Sequence, residues 1–327
     1  KYVQIVQNSI VKEARDKFAG ITSKDINSAM LQLRDIDLPD DKVVIDLIKN
    51  QFILDNGRTV EDPVGALSST VTVTGQVILA DKDYVRQLTS IFKKANIEID
   101  GIIPNVLAER SLILDVNEMN DNVMILDIGA GNTDIGVFNG SNFVYANTIP
   151  LGGDNITNDI AQVFYISEEE ADRLKKQYAL ALKSFIDNDT DIMLTTYKGD
   201  ERNKVIKSSE LIEVIEARVE EIFSLVNKQI TSLGIKSNIN NVILTGQGIT
   251  CISKSDVAGK IVLNIPVKIA TGRMISTVKP AYRSSYALVR YVSSRPYAKN
   301  VASKIDVKSN ENFFKTILER IKEFFYT

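Results

Sequence analysis

The chain has 327 residues, 44% apolar and 25% charged, with a net charge of −3; that is enough for two ordinary domains with proper cores, and it gives no basis for nucleic-acid binding. It has no histidine and one cysteine, Cys251, which excludes Ser-His triads, His-ligated metals and an intramolecular disulfide, and fits a reducing cytoplasm. No run of 18 apolar residues is present to span a bilayer, no signal peptide is visible, and the first residue is Lys1 rather than Met, so a fragment is expected.

Tyr2 to Val11 alternates as a strand. Thr22, Ser23 and Asp25 are capping residues ahead of Ile26, Ala29, Met30 and Leu33, which fall at helical spacing. Val43 to Leu54 reads as a strand broken near Lys49-Asn50. Turns follow at 55–57 and 62–65, then a long Thr/Val-rich strand from Ser68 to Ala80. Strand, helix, strand, strand makes a small α+β unit ending near residue 80. Asp81 to Asp83 can cap a helix holding Val85, Leu88, Ile91 and Phe92, and Ile102 to Ile113 is expected to contain a strand and a helix.

Val123 to Asn139 reads as strand, glycine turn, strand. Gly129, Ala130, Gly131, Asn132 and Thr133 form a small-residue turn whose backbone N–H groups can point inward together and suit phosphate oxygens. Asp127 and Asp134 flank it, and a carboxylate beside phosphates usually serves Mg²⁺. The bland alternative is a plain β-hairpin with a Gly-Asn turn. Two aspartates with Gly-x-Gly-x-Thr between them favour the phosphate reading. No Gly-Lys-Ser/Thr follows, so this is not a Walker A loop, and a strand rather than a helix follows the glycines, so it is not a dinucleotide fingerprint.

Leu151 to Ile160 fits a strand-to-helix turn, which on physical grounds alone needs no ligand. An amphipathic helix should run from Ser167 to about Leu182, and a strand from Ile192 to Tyr197. A longer helix from Ser208 to Leu233 carries the apolar stripe Leu211, Ile215, Val219, Ile222 and Val226, with Glu213, Glu216, Glu220 and Glu221 on its solvated face. Asn241 to Thr245 is an apolar strand closed by Gly246-Gln247-Gly248, a bend that lets a flat base come close to the backbone.

Ile261 to Ala270 suggests further strands, and Pro280 to Tyr291 a helix. Residues 295–310 read as a mildly basic linker. In 311–327, Phe313, Phe314, Ile317, Leu318, Ile321, Phe324 and Phe325 line one face of a helix and charges cover the other. Such a segment suits a membrane surface; it is too short and too charged to cross one. Docking on the chain's own body or on a partner is the alternative.

The string D-I-G-A-G-N-T-D-I at 127–135 resembles the second phosphate loop of the actin-like ATPases, in the form found in the bacterial FtsA family. P-L-G-G-D-N-I-T-N-D-I at 150–160 is similar to a string of the same family. L-T-G-Q-G at 244–248 resembles its adenosine loop, usually L-T-G-G-G, with Gln247 in place of the middle glycine. Gln51 to Asp55 and Asp62 to Gly65 resemble strings of the family's inserted subdomain, 1C.

The resemblance implies an α/β, actin-like (ribonuclease H-like) two-lobed ATPase fold. Residues 1–80 would be subdomain 1C, 81–147 the remainder of subdomain 1A with the phosphate hairpin, and 148–294 domain 2. A linker at 295–310 and a membrane-targeting helix at 311–327 would follow. Gly129, Ala130, Gly131, Asn132 and Thr133 would cradle the phosphates of ATP, and Asp127 would hold Mg²⁺ through water. Gly153 would lie by the ribose, and Gly246, Gln247 and Gly248 around the adenosine, with Glu216 or Glu220 approaching it. The family's first phosphate loop, D-I-G-T-S/G, does not occur in the chain. The implied role is that of a self-assembling adaptor, at most a weak ATPase. Its partners would be the tubulin-like division protein FtsZ, further copies of itself, cytoplasmic membrane lipid and later division proteins, all at the division site. A sugar kinase or phosphatase of the same superfold, or a pilus or secretion-platform relative, are the competing classes.

Overall fold

The computed structural model describes residues 3–15, 20–115, 118–194, 204–271, 278–279 and 282–294. The linker and the apolar segment with Phe313, Phe314, Ile317, Leu318, Ile321, Phe324 and Phe325 lie outside them, as do Tyr2, Tyr197, Pro280 and Ala281.

The first unit is a four-stranded antiparallel sheet with one helix. β1 (Val3–Glu13), β2 (Lys42–Leu54), β3 (Thr59–Val60) and β4 (Thr70–Asp81) pair in the order β1-β4-β2-β3. α1 (Ser23–Arg34) begins with a capping box between Thr22 and Asp25 and buries Ile26, Ala29, Met30 and Leu33 against Phe52, Val71 and Val73. The expected break in β2 is a register shift between Lys49 and Gln51, and a second lies between Val44 and Asp46. Burial in β4 alternates at first, then becomes continuous from Gly75 to Ala80. Continuous burial means cover on both faces, and the second cover is the larger sheet, against which Ile78 packs.

That larger sheet has the order β11-β10-β5-β6-β7. β5 (Asn122–Ile128), β10 (Asn241–Thr245) and β11 (Val267–Ile269) run parallel, while β6 (Thr133–Asn139) and β7 (Asn142–Ile149) follow β5 as antiparallel hairpins. Its side chains alternate between two cores. Met124, Leu126 and Leu244 face α4 (Gly153–Phe164), α5 (Glu168–Tyr178) and α6 (Ser208–Ser232). Val123, Ile125 and Ile243 face α3 (Asn105–Ile113) and α9 (Arg283–Ser293). The other elements are α2 (Lys82–Lys94), α7 (Gln247–Thr250), α8 (Ser255–Leu263) and the hairpin β8 (Asp191–Leu194) with β9 (Lys204–Lys207).

Four expectations need correction. A division at 147/148 falls inside β7, and one sheet joins strands on both sides of it. No strand forms at 101–104, where Pro104 caps α3 and has no N–H to give a ladder. α5 stops at Tyr178 because the chain beyond it turns to another partner, with Ala181 N–H donating to Ser253 O at 2.9 Å. Ile261 to Leu263 closes α8 and is not extended, which leaves β11 as the strand of that stretch.

Candidate functional site

β5 and β10 run side by side with Asp127 opposite Thr245 at their carboxyl ends. In an open α/β sheet this end is where ligands bind. β5 leaves through the turn at 129–132, where Gly129 N–H donates to Asn132 O at 2.9 Å, and returns as β6 with Asp134 opposite Asp127. β10 leaves through Gly246, whose φ of +88° suits glycine, and enters α7. A third segment comes from β7 and lies on the first: Gly153 N–H donates to Gly129 O at 2.9 Å, Asp154 N–H to Ala130 O at 2.8 Å, and Thr133 Oγ1 to Leu151 O at 2.8 Å.

The three segments singled out in the sequence therefore meet at one edge. Their glycines divide into two kinds. A Cβ on Gly152 would lie 2.5 Å from Ala130 O, one on Gly153 would lie 2.8 Å from the Gly248 Cα, and one on Gly248 would overlap Gly129 O. Gly153 and Gly248, expected to face ribose and base, turn their bare Cα atoms to neighbouring backbone. Gly131 is different: it is exposed, like Ala130 and Asn132, and nothing lies within 4 Å of its Cβ position. Gln247 is exposed at the start of α7. Glu216 accepts the Lys183 N–H at 2.7 Å and Glu220 is exposed, and among the described residues no hydrogen bond ties either to the three turns.

Beneath the turns lies a network that the sequence reading missed. Asn105 Nδ2 donates to Asp127 Oδ2 at 2.9 Å and to Glu109 Oε1 at 3.1 Å, and Ser284 Oγ of α9 donates to Glu109 Oε1 at 2.8 Å. Asp134 Oδ1 accepts from Thr148 Oγ1 at 2.6 Å and from Asn132 Nδ2 at 3.1 Å. Glu109 is only 3% exposed, and its Oε2 has no hydrogen-bond partner among the described residues. Burial, with the Asp127 charge beside it, pushes Glu109 up to about 7. Burial, with Asp134 beside it, pushes Asp127 up to about 6. None of the three carboxylates forms an ion pair among the described residues. The signal was present in α3, where Asn105 and Glu109 share a helical face with the buried Leu112 and Ile113.

Lys175 was also missed, as one more charge on an amphipathic helix. It is buried, and its Nζ donates to Gly153 O at 3.1 Å and Thr157 Oγ1 at 2.6 Å while pairing with Asp172 at 3.1 Å. It thereby holds the start of α4 from below.

The donor set fits Mg²⁺ and a phosphate chain. Crowded carboxylates raise one another's pKa, and a hard divalent cation relieves that crowding through oxygen ligands. No group of three acidic or thiol side chains among the described residues is arranged as a metal cage. The exposed turn at 130–132 offers backbone next to Asp127.

Residues 124–287 match the family model described as Cell division protein FtsA, and residues 1–79 match that of the SHS2 domain inserted in FTSA. Cell division protein FtsA of Bacillus subtilis (strain 168) is 30% identical over 290 residues, covering 89% of this chain and 66% of that protein. The protein of that name from Escherichia coli (strain K12) is 24% identical over 284 residues, covering 83% and 67%. The chain thus spans about two thirds of the length of these relatives. Among solved structures, MreB5 of Spiroplasma citri bound to ADP aligns with a TM-score of 0.54 at 17% identity, over 68% of each chain. The PilM-PilN type IV pilus biogenesis complex aligns at 0.52 and 13% identity, over 89% of this chain and 77% of that one. These likenesses show an actin-like fold.

Proposed function

The chain belongs to the FtsA family of cell division proteins, and from that membership we propose that it is an ATP-binding, self-assembling adaptor that ties the FtsZ ring to the cytoplasmic membrane and recruits later division proteins. The observation that carries the nucleotide part is the meeting of three turns, at 129–132, 151–154 and 246–248, on the carboxyl edge of β5 and β10. The related fold of MreB5 was solved with ADP and with AMPPNP. Asn132 and the exposed backbone of Ala130 and Gly131 would meet the phosphates, while Thr133, buried and bonded to Leu151 O, would hold the turn from beneath. Asp127 would hold Mg²⁺ through water, and Gly246 and Gln247 would border the adenosine. When bound, Mg²⁺ would screen the phosphate charge from the carboxylates beneath.

Membrane attachment is proposed for 311–327. Burying each of its large apolar side chains is worth roughly 1.5–3 kcal/mol before entropy is subtracted, and assembly would couple many such segments and raise avidity. Among the described residues no helix is long and apolar enough to cross a membrane. Two measurements test the proposal. Calorimetric titration with ATP should show binding that requires Mg²⁺, and equal heats with and without the metal would count against the site. Vesicle sedimentation should lose the protein when 311–327 is removed; unchanged sedimentation would end the tether reading.

A further inference from the structure

The Asp127 carboxylate stands among like charges. Asp134 lies opposite it on β6, and Glu109 lies near it on α3. Left to itself, a carboxylate so placed would turn away toward water. Two contacts hold it. Among the described residues, the one hydrogen bond to it comes from Asn105, whose Nδ2 donates to Oδ2 at 2.9 Å. Its other oxygen is set against the turn after β10: a Cβ on Gly246 would lie 2.5 Å from Asp127 Oδ1 and would overlap Ile128 O. With one oxygen bonded and the other confined, both side-chain torsions of Asp127 are restricted.

We propose that Asn105 is the positioning residue for the Asp127 carboxylate, and that Ser284 of α9 sets Asn105 in turn. The role rests on the reading of Asp127 as the group that holds Mg²⁺ through water: the carboxylate is oriented before the metal arrives, so less freedom is lost on binding.

Chemistry suits Asn105 to this task as well as distance does. Its Nδ2 has three oxygens around it: Asp127 Oδ2, Glu109 Oε1 at 3.1 Å and Ser284 Oγ at 3.4 Å. Two belong to carboxyl groups and accept. The third belongs to a hydroxyl that gives its own hydrogen to Glu109 Oε1 at 2.8 Å, which leaves its lone pairs for Asn105. An amide turned the other way would press its carbonyl oxygen on all three, so the NH₂ end faces the cluster. The backbone is also fixed there, since Asn105 opens α3 directly after Pro104. Ser284 arrives from 179 residues further on, in the first turn of α9, which packs on α3 through Ala287. By bonding to Glu109 and Asn105 together, it keeps the amide between the two carboxyl groups. The seating of α9 thereby reaches the metal-holding group.

The test is a double-mutant cycle in the full chain, read by calorimetry with ATP in Mg²⁺ and in EDTA. Asn105→Ala should lower the Mg-dependent part of the affinity about tenfold, the low end for a residue that orients a metal ligand, and leave the affinity in EDTA unchanged. On an Asp127→Ala background the same change should cost nothing more, because a positioning residue acts only through the group it positions. Ser284→Ala should lose about threefold, the low end for one hydrogen bond, and that loss too should vanish without Asp127. Glu109 keeps one of its two donors in each variant, so both should fold, and urea midpoints check this. In a chain that responds to Mg²⁺, undiminished affinity in Asn105→Ala, or a full further loss in the double variant, would overturn the role. Ser284→Ala without effect would overturn the part given to α9. A metal-free measurement separates this role from the metal reading. The Asp127 carboxyl carbon, assigned in NMR spectra by its absence from Asp127→Ala, should shift in Asn105→Ala in EDTA. An unmoved signal would overturn the positioning. A signal that moves in a chain whose ATP binding ignores Mg²⁺ would support the positioning and count against Asp127 as the metal holder.

Discussion

A side-chain carbon on Gly248 would overlap the carbonyl oxygen of Gly129, so the turn after β10 rests directly on the turn after β5. Ile128 O would lie only 2.8 Å from the same carbon. Neither obstacle is a flexible side chain that could swing aside. Gly248→Ala should therefore push the turns apart at a cost of about 1–3 kcal/mol, the usual range for overpacking. Gly131→Ala, which meets open space, should change stability by no more than about 0.5 kcal/mol. Urea midpoints of the two variants decide the matter: equal losses would mean that the contact between turns is not what requires glycine at 248.

The acidic floor gives a pH dependence of definite sign. Glu109 is raised from 4.5 to about 7, chiefly by burial, so the folded chain keeps a proton that the unfolded chain has released. Stability is then greatest below 4.5 on this account, and falls as pH rises through that window. Asp127, raised from 3.8 to about 6, acts in the same direction. At 1.36 kcal/mol per unit, the Glu109 contribution is at most about 3 kcal/mol. Glu109→Gln, measured in EDTA, should flatten the profile and match or exceed the parent at pH 8. A variant that keeps the parent's slope would remove Glu109 as its source.

Asp127→Ala separates metal binding from folding. The carboxylate crowds Glu109 and Asp134, so removing it should leave metal-free stability unchanged or higher. The same change should weaken Mg-dependent ATP binding about tenfold or more, since losing one charged ligand interaction is worth upwards of 1.4 kcal/mol. Calorimetry and urea unfolding on one preparation read both effects. Lower stability with unchanged affinity would reverse the assignment and make Asp127 structural.

Local chemistry made much of this fold legible. Thr22 and Asp25 are a capping box in the sequence and in the structure, and the break expected at Lys49-Asn50 is a shift of register. The hairpin around Gly129 needed only its glycines and the apolar runs on either side. What stayed hidden was pairing between distant segments. Nothing in the local pattern near Val123 says that it will lie beside Asn241, so the large sheet was cut at 147/148. Glu109 was missed for another reason: a glutamate on a short helix reads as solvated, although it shares a face with the buried Leu112 and Ile113, and Ser284 of α9 bonds to it. β3 is two residues long and β9 four, too short for a period to register.

The join between the two sheets can be tested at Gln76. This side chain is fully buried in β4, donating through Nε2 to Phe143 O at 2.6 Å and accepting Phe143 N–H through Oε1 at 2.8 Å. One glutamine thus satisfies both backbone groups of a residue on β7, the edge strand of the larger sheet. Gln76→Leu keeps the size and removes both bonds, leaving two buried polar groups without partners at about 1–3 kcal/mol each. Asn50→Ala removes a neighbouring bridge to Asn142, 2.7 Å long, but also removes the buried Asn50 Oδ1, which has no partner among the described residues, so the two effects partly cancel. The expected result is a loss of several kcal/mol for Gln76→Leu against less than about 1 kcal/mol for Asn50→Ala. Amide exchange at Phe143 should rise sharply in the first variant alone. Protection at Phe143 that survives Gln76→Leu would show that the sheets are held by their apolar contact, with Ile78 against the larger sheet, and that the amide bridge adds little.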